Sequence, residues 1–174
     1  MAGRVNLKIC LVLPFLASAF LISVPTSFAD PNLIGWWKFD EGTGSTAYDS
    51  AGSNNGTITG ASWFNDPYRG MCLNFNGSGN YVSVGNTVTH NLPKGSFAAW
   101  VNPANLSSIC GGYNFAYIIG ANSPTNGELA IRVNGDGSGV AIVQTGAPSS
   151  LEFPAGTFNV RSWYHVAMTW DGSY

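Results

Sequence analysis

Between Asp40 and Thr57 nearly every residue is Asp, Glu, Gly, Ser, Thr or Asn. Asp40, Asp49 and Asn55 carry hard oxygens that, with nearby glycine carbonyls, could converge on a cation. The chemistry suits calcium, which takes about six to eight oxygens from carboxylates, carbonyls and water. The D-x-D-x-D-G spacing of an EF-hand loop is absent. The same groups have a competing local use. Asp49, Ser50 and Asn55 can cap turns through side-chain-to-backbone hydrogen bonds, and Asp40 can close a strand end.

Other reactive residues are scattered. The glutamates are Glu41, Glu128 and Glu152, far apart along the chain, whereas glycoside hydrolysis needs two carboxyl groups flanking one bond. There is no G-x-S-x-G elbow, no H-E-x-x-H and no phosphate-binding glycine loop ahead of a helix. His165 alternates with Trp163 and Ala167. As a base it would need a nucleophile or an orienting acid, and none is nominated, so a structural histidine hydrogen-bonded within the fold is expected. His90 reads as a loop residue, and two histidines so placed do not make a zinc site. Trp36, Tyr48, Tyr113 and Tyr117 fall in loops or at outward positions, where aromatic faces with polar edges could stack on sugars or meet a protein. More often such rings cover the second face of a sheet, and no ligand pocket is assigned from them.

The elements that must position these groups are strands. In Leu33–Phe39, Leu33, Gly35, Trp37 and Phe39 alternate with Ile34, Trp36 and Lys38, the period of a half-buried strand. Further strands are expected at 57–64, 71–76, 81–84, 96–101, 115–119, 129–133, 140–144 and 163–170. Asn-Gly and Asp-Gly steps between them, as in Asn134-Gly135-Asp136-Gly137, supply hairpin turns. No stretch keeps a 3.6-residue period long enough for a substantial helix. The expected fold is an all-β antiparallel sandwich, with Trp37, Phe39, Leu73, Phe75 and Val101 sharing its interior.

Residues 1–29 stand apart. A basic start (Arg4, Lys8), an apolar run from Ile9 to Val24 and Ser27-Phe28-Ala29 read as a secretory signal peptide cleaved after Ala29. The run is short for a membrane span, and nothing later is apolar enough for one. The remaining 145 residues carry five Lys and Arg against nine Asp and Glu. That balance gives no reason to expect nucleic acid or an anionic membrane as partner. In a secreted context Cys72 and Cys110 suggest one disulfide. The alternative is two unpaired small core residues.

Motifs in family order add a resemblance. W-x-F-D-E-G-x-G, A-x-D-S-x-G and N-N-G-T in residues 33–60, GMCLNFNGSGNYVSV (70–84), FAAWVNP (97–103) and WYHVAMTWDGSY (163–174) resemble laminin-G-like, concanavalin A-like lectin/glucanase domains. The resemblance narrows the sandwich to a jelly roll over residues 30–174. It implies a recognition module for glycans or extracellular protein, and a calcium rim where Asp40, Asp49 and Asn55 lie. The E-x-D-x-x-E strand of this fold's glucanases is absent. Relatives continue with a strand carrying L-Y-V-x-G, so the jelly roll is expected to be incomplete at its C-terminus. The expected function is a secreted, non-catalytic recognition module. Alternatives are an accessory or catalytic part of a secreted glycoside hydrolase, or a purely structural adhesion module.

Overall fold

The computed structural model describes residues 30–85, 94–106, 115–123, 127–144 and 148–171. They form eleven strands: β1 (Thr46–Ala47), β2 (Gly56–Thr59), β3 (Ser62–Asp66), β4 (Gly70–Asn74), β5 (Tyr81–Ser83), β6 (Gly95–Val101), β7 (Phe115–Ser123), β8 (Gly127–Asn134), β9 (Gly139–Gln144), β10 (Pro148–Phe153) and β11 (Tyr164–Trp170). All pairings are antiparallel, and no helix occurs among the described residues.

Alternation builds the C-terminal half. In β6, Phe97, Ala99 and Val101 turn inward while Ser96, Ala98 and Trp100 are exposed. In β11, Val166 and Met168 are buried while His165, Ala167 and Thr169 are exposed. This two-stranded sheet lies against a four-stranded one in the order β10-β9-β8-β7. Ile131, Ala141 and Met168 meet at the contact, with Phe97, Leu129, Val143 and Trp170 around them. Val133, Phe158 and Val166 form the adjoining cluster. Ile131 is 1% exposed, and burying a side chain of that size contributes roughly 2–3 kcal/mol. A sheet face packed on a sheet face, with alternate residues directed outward, is a β-sandwich.

The β8–β9 hairpin is tied down at its turn. Asp136 Oδ1 accepts from the Ser138 amide at 2.9 Å and the Ser138 hydroxyl at 2.6 Å. These bonds, the hydroxyl's first, hold the Asp136 carboxyl below the usual carboxylate range. Gly137 has φ +76°, and a Cβ there would fall 2.6 Å from the Phe158 carbonyl oxygen. The Phe158 amide in turn donates to the Gly137 carbonyl at 2.8 Å, so only glycine fits this docked turn.

The N-terminal half has two small sheets, β1-β2-β5 and β3-β4. Its buried apolar side chains, among the described residues, are Ala47 and Ile58. The expected strand at Leu33–Phe39 is absent; a single bridge joins Trp37 to Asp49. Two local features end the extended run. Phe39 sits at φ +55°, and the Trp37 indole folds back over Gly35, where a Cβ would lie 2.4 Å from the ring. Side chains then satisfy the main chain that a ladder would have used.

The expected run 57–64 is split at Gly60, φ +72°, into β2 and β3. β10 was not anticipated: it opens on proline, tolerated at the first residue of a strand because no ladder donor is needed there. The expected shared interior is also revised. Val101 packs in the core, whereas Phe75 is 46% exposed. Trp37, Phe39 and Leu73 are half-buried within the N-terminal half and lie outside the three buried clusters of the core.

Candidate functional site

Asp49 organises the N-terminal loop. Its Oδ1 accepts from the Trp36 and Ala51 amides, both at 2.9 Å, and its Oδ2 from the Asn54 amide at 3.0 Å. Its own amide donates to Asn55 Oδ1 at 3.0 Å, and the Trp37 indole donates to the Asn54 carbonyl at 2.8 Å. Burial pushes the Asp49 carboxyl up, but the amides of Trp36, Ala51, Asn54 and Gly52 together outweigh it and hold the group below the ordinary carboxylate range. A carboxylate offers about four acceptor positions, and these donors occupy them.

Of the three candidate calcium ligands, Asp49 and Asn55 are therefore brought together, but as capping groups. Asp40 makes a different contact, 3.4 Å from Lys38 Nζ, with its side chain 60% exposed. Among the described residues no group of three or more His, Cys, Asp or Glu side chains is placed to hold a metal. Glu41 accepts from the Tyr48 amide at 2.7 Å, and Glu152 lies exposed on β10.

Cys72 is half-buried, and its thiol donates to the Phe64 carbonyl at 3.4 Å. Burial, and then the Asp66 carboxylate, push the thiol pKa up, which keeps it a poor nucleophile at neutral pH. Cys110 lies outside the described residues, as do His90 and Tyr113.

A second constellation forms where the β3–β4 turn meets the outer face of β6 and β11. Trp100 and His165 stand opposite each other in register, their rings 5.0 Å apart at 50°. His165 is thus exposed on this face, not enclosed within the sandwich as expected, because strand alternation sends Val166 and Met168 inward instead. Arg69 stacks on Trp100: its guanidinium carbon is 3.4 Å from the Trp100 ring centroid and 5.6 Å from that of Trp163.

Asp66 fixes the turn that presents the arginine. Its Oδ1 accepts from the Tyr68 and Arg69 amides at 2.9 Å, and its Oδ2 from the Trp163 indole at 3.3 Å. The carboxylate is buried while Arg69 is exposed and Tyr68 is 89% exposed. A guanidinium stacked on an indole keeps its in-plane N–H fork free for a planar oxygen acceptor. Sequence reasoning did not nominate Arg69, Trp100 or Trp163. Inward Phe97, Ala99 and Val101 already imply an outward Trp100; its pairing with His165 and the reach of the turn depend on strand register and chain path.

Two facing antiparallel sheets, with no helix among the described residues, match a lectin-like jelly roll. The chain belongs to the laminin-G-like family described as the concanavalin A-like lectin/glucanases superfamily, whose family model matches residues 76–174. No curated protein and no solved structure matches the chain. The superfamily includes glycosidases as well as binding domains, and its laminin-G-like members are generally non-catalytic. Among the described residues no helix is long and apolar enough to cross a membrane.

Proposed function

We propose that this protein is a secreted, non-catalytic recognition module that binds carbohydrate or extracellular protein. Family membership supports that class, and laminin-G-like domains are typically extracellular. One observation carries the reading to this chain: large aromatic side chains remain outside a sandwich whose core is already filled. Trp100 is 51% exposed, Trp36 54%, Tyr48 59% and Tyr117 48%. Rings left in solvent next to polar groups are what sugar stacking and protein docking use. Secretion rests on the signal-like residues 1–29. The test is a glycan array probed with the secreted full-length protein, with and without chelator, alongside an assay for released reducing sugar. Selective binding without sugar release is expected; release of sugar would move the protein among the hydrolases.

Calcium dependence is the finer part of the proposal. The exposed Asp40 carboxylate, at the head of a run rich in Asp, Gly, Ser, Thr and Asn, favours a cation. The hydrogen bonds that fill Asp49 and Asn55 oppose one. A cation bound only to the native state must raise the melting midpoint. An upward shift at millimolar calcium, lost in Asp40→Asn, supports the rim; an unchanged midpoint dismisses it.

A further inference from the structure

We propose that Arg69, stacked on Trp100, is the anchor of a subsite for a carboxylate-bearing sugar, a uronic acid within an acidic glycan. The inference rests on the recognition reading above and specifies its ligand. Three features make the subsite. The guanidinium is stacked on the Trp100 indole, its carbon 3.4 Å from the ring centroid. It forms no ion pair with any described carboxylate, and it is exposed.

An unpaired, oriented arginine on the surface is a fork waiting for a planar bidentate acceptor, which a carboxylate matches. The nearest acid does not quench it. Asp66 is buried, and its oxygens are spent on the Tyr68 and Arg69 amides and the Trp163 indole. Those bonds shape the turn and aim the arginine outward. His165, its ring 5.0 Å from that of Trp100, is the second group there able to donate to an anion.

The rings argue for a sugar over an acidic peptide. Tyr68, the residue before the anchor, is 89% exposed, leaving an open aromatic face for the apolar face of a pyranose. Trp100 stacks on Arg69 and is still 51% exposed. The net charge of −4 carried by residues 30–174 repels a polyanion in general, so attraction must be local to this arginine.

The experiment uses the secreted full-length protein and titrates trigalacturonic acid by calorimetry. Its methyl ester, a sulfated neutral trisaccharide and a glutamate hexapeptide are run beside it. Binding of the acid, at least tenfold weaker for the ester and weakened further by salt, is expected. Arg69→Lys keeps the charge but loses the fork and should weaken binding on the order of tenfold. Arg69→Met should weaken it more, and Leu151→Ala, at an exposed position on β10, should leave it unchanged. Melting curves of the Arg69 variants should match the parent, because the turn is held by Asp66.

Equal binding of acid and ester, or indifference to Arg69→Met, overturns the anionic subsite while leaving sugar recognition standing. Equal or tighter binding of the hexapeptide or the sulfated sugar overturns the choice of ligand. Silence across all probes, with neutral glycans bound on the array, overturns this subsite alone. Silence on the array as well removes the recognition reading with it.

Discussion

The two halves of the chain are held together by different forces. From β6 onward, stability comes from apolar side chains meeting between sheets: Ile131, Val133, Phe158, Val166 and Met168 are each less than a tenth exposed. Before β6, Ala47 and Ile58 are the buried apolar side chains among the described residues, and the chain is fixed by carboxylate and amide groups bonding to main chain at Asp49, Asn55, Asp66 and Asn80. Apolar burial is non-directional and summed over area. Side-chain-to-backbone bonds are directional, and each is worth about 1 kcal/mol, more to a charge. One half should therefore resist any single polar change, and the other should hinge on a few acids.

Removing core volume should have the largest effect. Ile131→Ala, at a position 1% exposed, should cost about 3–4 kcal/mol from lost transfer energy and the cavity left behind. Phe75→Ala, a larger truncation but at a position 46% exposed, should cost less than about 1.5 kcal/mol. Urea midpoints of the two variants measure the contrast, and a reversed order would break the distinction between the halves.

Next comes the docked turn. Gly137→Ala meets both a positive φ of 76° and a backbone oxygen 2.6 Å away that cannot rotate aside. The expected cost is about 2–3 kcal/mol. Gly44, at φ +80° with nothing within 4 Å, is the matched control. Gly44→Ala should cost only about 1 kcal/mol, from backbone strain alone.

Asp49 tests the other half. Asp49→Ala leaves the part-buried amides of Trp36, Ala51 and Asn54 without their acceptor and should cost about 1–2 kcal/mol. The pH dependence has a definite sign. The native carboxyl titrates below its unfolded value, so the stabilisation is fully present above the unfolded pKa, about 4. It is lost as pH falls from there through the lower native pKa. Asp49→Asn should flatten that part of the acid limb in a melting-temperature profile. An acid limb unchanged by the substitution would mean the loop does not depend on this carboxylate.

The same division explains what was legible beforehand. Where alternation alone decides which side is buried, as in Phe97-Ala99-Val101 and Leu129-Ile131-Val133, inward positions follow from the pattern. In Leu33–Phe39 the alternation is present and Trp37 and Phe39 are the more buried residues, yet no strand forms. The main chain there finds its partners in Asp49 and Asn54, and sequence spacing does not announce such pairings. The Asp49 and Asn55 oxygens were legible as a polar cluster, but whether they face a cation or an amide depends on loop path. The Arg69–Trp100 contact joins the β3–β4 turn to β6 of another sheet, beyond any periodicity.

The smallest effect sharpens the comparison most where Asp40 is concerned. Its contact with Lys38 is 3.4 Å long between side chains 43% and 60% exposed, and solvent-exposed pairs contribute about 0–1 kcal/mol, less in salt. With chelator present, Asp40→Asn should therefore shift the melting midpoint by under about 0.5 kcal/mol equivalent. Asp49 and Asp40 then separate as a buried acid that shapes the loop and an exposed one that does not. If the same substitution costs more than 1 kcal/mol only when millimolar calcium is present, the ion pair cannot be the cause. A surface pair has no preference for calcium over an equal ionic strength of sodium, whereas a coordinated carboxylate does. Measuring the Asp40→Asn penalty in calcium against sodium at matched ionic strength thus decides whether Asp40 is a bystander or a ligand.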